Sequence, residues 1–272
     1  MKNVRYGRGQ GFSRPVPNYK APSPMWDVFK KGKALVMFFV GGVPDLKRSA
    51  EILEKLPGLG CDIVEIGVPY SDPLADGPVI RSAYQEGLEK GVTLTKILKM
   101  IKNSGKKVKI PVVLLIYYNL IKQRGESRFL NDLTASGVSG VIVPDLFFPS
   151  SVPFARLCRK NGIAFIPLVS PRTPVSRARE ISKEGGGFLY YVNVEGVTGE
   201  RDALPEGLAR RLRRVRSVSK LPVCAGFGIS RPGQVRAIRG AVDGVIIGSA
   251  FQKRISSGGK IYEFVRELKC SL

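Results

Sequence analysis

Three acidic residues that lie close together in the sequence, Glu65, Asp72 and Asp76, carry side chains suited to acid–base chemistry. Glu65 lies in the apolar stretch 62–67, and the alternation of a strand puts it on the same face as Ile63. An unpaired carboxylate in such surroundings is costly, so it needs a cationic partner or a use for a neutral acid. No apolar run carries a basic residue in its middle. An ion pair and a catalytic acid both stay open at this point.

Asp72 and Asp76 follow in a stretch, 68–78, that contains three prolines and a glycine. Either aspartate alone is typical of an ordinary turn. Together with Glu65, however, one of them would complete a pair of carboxyl groups in unlike environments. In such a pair the drier group stays protonated and serves as a general acid, while the wetter group stays ionised.

The composition excludes several other mechanisms. The 272 residues include no histidine, which rules out Ser-His-Asp and Cys-His catalysis and imidazole metal sites. No CxxC pair is formed by the cysteines, which favours a reducing cytoplasm over a disulfide scaffold; they are Cys61, Cys158, Cys224 and Cys270. The longest uninterrupted apolar run, 34–40, is far shorter than a membrane span of about 20 residues. We therefore expect a cytoplasmic protein without a metal site and without a membrane span.

Two glycine-containing segments near the end of the chain point to a phosphorylated small molecule. They are 226–230 (GFGIS) and 248–250 (GSA), and each follows a predicted strand. In α/β barrels the last two such loops and a short helix often bind phosphate through backbone N–H groups. Aromatic residues near strand ends could wall a flat apolar pocket, although they are more often simply core; these are Phe38, Tyr117, Tyr190 and Phe227.

The elements that must position these residues alternate regularly. Eight strand-like apolar runs are found at 34–40, 63–67, 110–117, 140–144, 163–169, 187–192, 221–225 and 242–247. Helical patterns follow near 45–57, 93–104, 126–136, 150–161, 174–185, 204–219, 231–239 and 259–270. Eight β/α units in one chain predict an α/β fold of the single (β/α)8 TIM-barrel type, with a doubly wound sheet as the alternative. We expect a flexible basic N-terminal extension at 1–22 and a barrel catalytic domain at 23–272.

The longest motif carries a family resemblance. The segment 64–80 (VEIGVPYSDPLADGPVI) resembles, almost position by position, the signature of the tryptophan synthase alpha subunit family. Further matches follow in the family's order and extend the resemblance over about residues 33–265: 117–119 (YYN), 143–146 (VPDL), 196–199 (GVTG), 226–230 and 248–250. Two segments differ from the family: Asp145 is followed by Leu-Phe-Phe-Pro, and the first strand continues as VGGVP at 40–44.

The resemblance implies a lyase of tryptophan biosynthesis that splits indole-3-glycerol phosphate into indole and glyceraldehyde 3-phosphate. It also implies a beta subunit as the partner in an α2β2 heterotetramer, with pyridoxal phosphate in that partner and no cofactor in this chain. Glu65 matches the acid that protonates indole C3, and Asp76 matches the carboxylate that accepts the indole N–H. The other matching residues are Gly199, Gly228, Gly248 and Ser249 at the phosphate, Tyr190 near the reacting groups, and Phe38, Tyr117, Thr198 and Phe227 around the indole.

Two rival interpretations remain. One is another phosphate-binding barrel enzyme. The other is a nucleic-acid-binding protein, suggested by the net charge of +22, by the arginine-rich segment 208–216 and by the basic residues Lys2, Arg5, Arg8, Arg14 and Lys20. On a helix, an apolar stripe of Leu204, Leu208, Leu212 and Val215 would leave these arginines on the outside. No aromatic residue lies between the arginines to stack on a base. This pattern favours a solvated cationic exterior, suited to an acidic protein partner, over specific nucleic-acid binding.

Overall fold

The computed structural model describes residues 24–192, 204–226 and 228–272. Three groups of predictions lie outside these ranges: the basic extension 1–22, the segment 196–199 with Thr198 and Gly199, and Phe227.

The strands form a parallel barrel. Within the described ranges they are β1 (Ala34–Val40), β2 (Ile63–Gly67), β3 (Val112–Leu115), β4 (Gly140–Ile142), β5 (Ala164–Phe165), β6 (Leu168–Val169), β7 (Leu189–Val192), β8 (Val223–Gly226) and β9 (Gly244–Ile247). Their order is β5-β4-β3-β2-β1-β9-β8-β7-β6, and every pair is parallel. Only Ile166 and Pro167 separate β5 from β6, so these two segments are halves of one barrel strand that pairs with β4 on one side and β7 on the other. The (β/α)8 barrel is thereby confirmed.

The α-helices within the described ranges are α1 (Pro24–Lys31), α2 (Leu46–Lys55), α3 (Pro78–Glu89), α4 (Leu94–Ser104), α5 (Tyr118–Arg124), α6 (Glu126–Ala135), α7 (Val152–Lys160), α8 (Val175–Glu184), α9 (Leu208–Val218), α10 (Pro232–Ile238), α11 (Ser249–Ser256) and α12 (Ile261–Lys269). Short 3-10 helices follow at Leu56–Leu59 and Arg239–Ala241. The sequence patterns did not predict α1, α3 or α5. Pro78 is compatible with α3 because it occupies the first helical turn, where a missing N–H costs nothing. No helix in these ranges is long and apolar enough to cross a membrane.

Two apolar layers follow from the alternation of the strands. In β2, Val64 and Ile66 pack outward against the helices, whereas Ile63 belongs to the cluster inside the barrel. Glu65 shares the face of Ile63 and is therefore an interior residue. Parallel register sets Phe38 of β1 beside Glu65, and Val40 beside Gly67.

Helix α1 covers the N-terminal end of the barrel. Met25 and Phe29 are buried in the interior cluster, and Phe29 packs against Phe188 with ring centroids 6.2 Å apart. A Cβ atom on Gly140, at the start of β4, would lie 3.0 Å from Cε of Met25. The barrel is thus filled at the end opposite its predicted catalytic face.

The arginine-rich helix α9 has the orientation that the sequence predicted. Leu208, Leu212 and Val215 are buried, whereas Arg210, Arg211, Arg213 and Arg214 are exposed. Arg216 pairs with the buried Asp243, with 2.6 Å between Nη2 and Oδ1. This is the ordinary form of an outer barrel helix with a solvated cationic face.

Because Met25 fills the closed end of the barrel, replacing it leaves a cavity. We expect Met25→Ala to lower the free energy of unfolding by about 2–5 kcal/mol, measured by urea denaturation. Lys31→Ala, an exposed change in the same helix, should stay within about 0.5 kcal/mol of the wild type. Equal effects of the two substitutions would contradict the conclusion that Met25 of α1 fills the N-terminal end of the barrel.

Candidate active site

Glu65 is a buried carboxyl group without a cation. Its side chain is 1% exposed, and neither carboxyl oxygen has a hydrogen-bond partner in the described part of the chain. Burial, and secondarily the negative charge of Asp76, raise the pKa of Glu65 from 4.5 to about 8. Of the two interpretations that the sequence left open, the ion pair finds no partner among the described residues. Glu65 is a neutral acid at pH 7.

Asp76 is held at the end of the loop between β2 and α3. The hydroxyl of Tyr117 donates to Oδ2 of Asp76 at 2.7 Å and accepts from the backbone N–H of Ala75 at 3.2 Å. The ring of Tyr117 stacks on Tyr70, with centroids 4.6 Å apart and planes inclined by 15°. Tyr117 therefore fixes both the carboxyl group and the backbone of the loop beside it.

The environment of Asp76 is drier than the sequence suggested. Burial raises its pKa from 3.8 to about 6, and the hydrogen bond from Tyr117 opposes part of that increase. The pKa of Asp76 nevertheless stays below that of Glu65: Glu65 is more deeply buried, its pKa is raised further by the charge of Asp76, and it has no donor in the described ranges, whereas Asp76 accepts from Tyr117. Between about pH 6 and pH 8, Glu65 is protonated while Asp76 is ionised. Two carboxyl groups with pKa values pushed apart are what a division into acid and anion requires.

Asp72, the third candidate carboxylate, is exposed. Its backbone carbonyl accepts a hydrogen bond from the N–H of Leu74 at 2.9 Å, which is the role of a turn residue. In the structure Asp72 belongs to the turn and not to the pair formed by Glu65 and Asp76.

Two glycines leave room for the aromatic rings of the site. A Cβ atom on Gly67 would lie 2.8 Å from Cζ of Phe38 and 2.9 Å from Oη of Tyr84. A Cβ atom on Gly226 would lie 2.8 Å from Cε2 of Tyr190. Phe38 and Tyr190, both predicted from the sequence, thus face the barrel interior near the ends of the strands. Tyr84 was not predicted. The apolar spacing of Ile80, Ala83, Tyr84 and Gly87 along α3 could have indicated a buried helix face, but not that Tyr84 reaches the site.

The two glycine segments lie at the carboxyl ends of β8 and β9. Gly228 has a positive φ of 65°, which suits glycine. Gly248 precedes α11, and Ser249 is the first residue of that helix. The first N–H groups of a helix have no acceptor within the helix, so those of α11 point toward a possible anion. Gly248 also approaches Phe38, whose Cδ1 would lie 3.3 Å from an added Cβ.

The predicted site residues therefore divide into two groups. Glu65, Asp76, Phe38, Tyr117 and Tyr190 are gathered in or at the mouth of the barrel, with Gly228, Gly248 and Ser249 at neighbouring strand ends. Thr198, Gly199 and Phe227 lie outside the described residues. Within the described ranges, no group of three or more Cys, Asp or Glu side chains could hold a metal ion.

Comparison with known proteins gives the family directly. The sequence profile of the family described as tryptophan synthase alpha chain matches residues 27–270. The tryptophan synthase alpha chain of Petrotoga mobilis is 41% identical over 254 residues, covering 92% of this chain and 98% of that protein. The corresponding protein of Microcystis aeruginosa is 42% identical over 243 residues, covering 87% and 92%.

Solved structures agree with this assignment. A structure of Mycobacterium tuberculosis tryptophan synthase superposes with a TM-score of 0.83 at 30% identity, covering 92% of this chain and 98% of that one. The tryptophan synthase A-subunit of Pyrococcus furiosus gives a TM-score of 0.80 at 30% identity, covering 87% and 98%.

The parallel barrel, with its site residues at the carboxyl ends of the strands, defines the class: a (β/α)8-barrel enzyme. Within that class, the chain belongs to the tryptophan synthase alpha chain family, and with it to the lyases of tryptophan biosynthesis. The alpha reaction of this family is the cleavage of indole-3-glycerol phosphate.

The raised pKa of Glu65 makes the folded state less stable as pH rises. A carboxyl group with a pKa of 4.5 in the unfolded chain and about 8 in the folded protein binds its proton more tightly when folded. The contribution of Glu65 to stability is therefore greatest below pH 4.5 and falls between pH 4.5 and pH 8, by up to about 5 kcal/mol. Glutamine does not titrate, so Glu65→Gln does not lose stability in this way. The free energy of unfolding of Glu65→Gln, measured by urea denaturation, should therefore rise relative to that of the wild type as pH increases from 5 to 8.

The exposed Glu263 supplies the control for this measurement, because Glu263→Gln should follow the wild-type pH dependence. A stability difference between Glu65→Gln and the wild type that stays constant from pH 5 to pH 8 would contradict a raised pKa at Glu65.

Proposed function

We propose that this chain cleaves indole-3-glycerol phosphate to indole and glyceraldehyde 3-phosphate, with Glu65 as general acid and Asp76 as the anion that balances charge on the indole ring. The observation that carries this proposal is the pair of carboxyl groups with pKa values of about 8 and about 6 in one interior. A proton donor must still hold its proton at neutral pH, whereas a charge-balancing group must already have lost it. Each of the two residues has the state that its role requires.

The chemistry follows from those states. Glu65 transfers its proton to C3 of the indole, and positive charge develops toward the ring nitrogen. Asp76 accepts a hydrogen bond from the indole N–H and offsets that charge, and Tyr117 keeps its carboxylate oriented. The carbon–carbon bond then breaks, and its electron pair returns to the ring as the indole double bond. The hydroxyl carbon becomes an aldehyde as its hydroxyl gives its proton to the carboxylate of Glu65, which restores the acid. A dry interior strengthens both electrostatic effects.

Substrate binding divides between an apolar and a polar end. Phe38 and Tyr117 would contact the indole together with Thr198 and Phe227, and Tyr190 would lie near the reacting carbon. The phosphate would bind to Ser249 and to the glycine backbone at 199, 228 and 248. The N-terminus of α11 supports this assignment, because its free N–H groups favour an anion.

A beta subunit is the proposed partner, in an α2β2 heterotetramer that receives the indole. Pyridoxal phosphate would belong to that subunit, this chain would act without a cofactor, and the assembly would work in the cytoplasm. Two large apolar side chains support docking at the carboxyl face of the barrel: Leu74, 86% exposed in the loop after β2, and Phe147, 69% exposed in the segment after β4. A partner that docked on this face would remove both apolar side chains from water.

The proposed reaction is tested with purified protein and indole-3-glycerol phosphate. Wild-type protein should release indole, and both Glu65→Gln and Asp76→Asn should lower kcat/KM by about 100-fold or more. Glutamine keeps the shape but has no acidic proton, and asparagine keeps a hydrogen-bond acceptor but no charge.

Asp72→Asn is the matched control, because it changes an exposed aspartate of the same loop. It should retain near-wild-type activity. Full activity of Glu65→Gln would overturn the assignment of the acid, and a wild-type chain that releases no indole would favour another phosphate-binding barrel enzyme.

The proposed docking face is tested by titrating the cognate beta subunit while indole release is measured. Phe147→Ser removes an exposed ring and should raise the concentration of beta subunit needed for half-maximal stimulation by about 30-fold, the effect of an interface hot spot. Lys31→Ser, at the opposite end of the barrel, should leave that concentration unchanged. Equal stimulation of both variants would exclude Phe147 from the interface.

A further inference from the structure

Tyr84 carries an unpaired hydroxyl inside the barrel. The residue is fully buried, and its Oη has no hydrogen-bond partner in the described ranges. It reaches the interior from α3, and its Oη lies 2.9 Å from the position that a Cβ atom on Gly67 would occupy. Gly67 follows Glu65 by two residues on the same strand face, so Tyr84 occupies the side-chain layer directly above Glu65, about 6.6 Å along the strand.

A second unpaired group shares this interior, namely the carboxyl of Glu65 itself. Its proton transfer to the substrate leaves a buried carboxylate, which needs hydrogen-bond donors. The titratable groups that influence Glu65 or are influenced by it are Asp76, Tyr84, Tyr190 and Cys224. The described buried residues include no lysine or arginine to supply a positive charge.

We propose that Tyr84 is a positioning residue whose hydroxyl donates a hydrogen bond to the carboxylate of Glu65 once Glu65 has given its proton to the substrate. The proton moves from Glu65 to the indole carbon, the electron pair of the broken O–H bond stays on Glu65, and Tyr84 keeps its own proton. By stabilising the carboxylate, Tyr84 makes Glu65 a stronger acid. This inference rests on the proposed role of Glu65.

The other donors in the site are less suited to this role. The hydroxyl of Tyr117 already donates to Asp76 and accepts from Ala75. A cysteine thiol such as that of Cys224 is a weak donor. Tyr190 is assigned to the reacting carbon of the substrate. Tyr84 stays a neutral donor at every working pH, because burial raises the pKa of its phenol well above the ordinary value.

The unpaired hydroxyl of Tyr84 lowers the stability of the protein without substrate. A buried hydroxyl without a partner is unfavourable, so removing it should leave stability unchanged or raise it. Tyr84→Phe is therefore expected to fold at least as well as the wild type and to lose activity. A purely structural tyrosine would give the opposite stability result.

The experiment compares Tyr84→Phe with Tyr191→Phe in the full-length chain. Tyr191 is equally buried but faces the outer layer of the barrel, so it controls for loss of a buried hydroxyl. The protonation of Glu65 is followed by infrared difference spectroscopy of its carboxyl C=O stretch against Glu65→Gln, without substrate. Turnover of indole-3-glycerol phosphate gives kcat and KM separately.

Tyr84→Phe should raise the pKa of Glu65 by about one unit and lower kcat about 10-fold with little change in KM, the effect of one hydrogen bond to a charged group. Tyr191→Phe should change neither quantity. An unchanged pKa of Glu65 in Tyr84→Phe would overturn the inference, and so would a rise in KM alone, which would make Tyr84 a substrate contact.

The spectroscopic readout separates this inference from the proposed function. If Glu65→Gln were active, the proposed function would fail even though the pKa of Glu65 still depended on Tyr84. If Glu65→Gln were inactive and the pKa of Glu65 were the same in Tyr84→Phe as in the wild type, the inference alone would fail.

Discussion

The structure depends on one constraint: a carboxyl group must stay buried in the barrel interior without a cation. Glu65 has no hydrogen-bond partner in the described ranges, and the only other carboxyl group that acts on it, Asp76, raises its pKa further. Each surrounding feature preserves this state. Phe38 lies beside it on β1, and Met25 and Phe29 fill the closed end of the barrel. A lysine beside Glu65 would lower its pKa so far that the group would already be ionised at neutral pH and would have no proton to donate.

The second carboxyl group shows how a single donor separates two otherwise similar environments. Asp76 is also dehydrated, yet the phenol of Tyr117 offsets part of the cost of its charge. The ring of Tyr117 stacks on Tyr70, and its hydroxyl accepts a hydrogen bond from the backbone N–H of Ala75 in the loop. Asp76 therefore stays ionised near neutral pH, whereas Glu65 stays protonated. The hydrogen bond from Tyr117 lowers the pKa of Asp76, whereas the deeper burial of Glu65 and the charge of Asp76 raise the pKa of Glu65.

Sequence patterns predicted the framework better than the site's environments. Apolar runs located β1 and β2 at their observed limits, because continuous burial of a parallel strand leaves a clear signal. They missed α1, which lies in a stretch that was assigned to the barrel domain without an element of its own, and α3, which begins at a proline. The sequence also did not indicate that Asp76 is shielded from water, because proline and glycine neighbours predict a loop but do not show what packs over it. Tyr84 could not be recognised as a site residue, since its place above Glu65 depends on how α3 packs across β2.

Gly67 explains why that packing matters. A glycine inside a strand normally weakens it and marks the close approach of another group. Here the missing side chain opens the layer above Glu65, and the edge of Phe38 and the hydroxyl of Tyr84 occupy the place of a Cβ atom. Any larger residue would collide with Phe38 and Tyr84 and would displace both rings from the layer above the acid. The glycine in the segment 64–80 thus has a physical reason that belongs to the acid two residues before it: its missing side chain lets the ring of Phe38 and the hydroxyl of Tyr84 pack in the layer above Glu65, which stays 1% exposed.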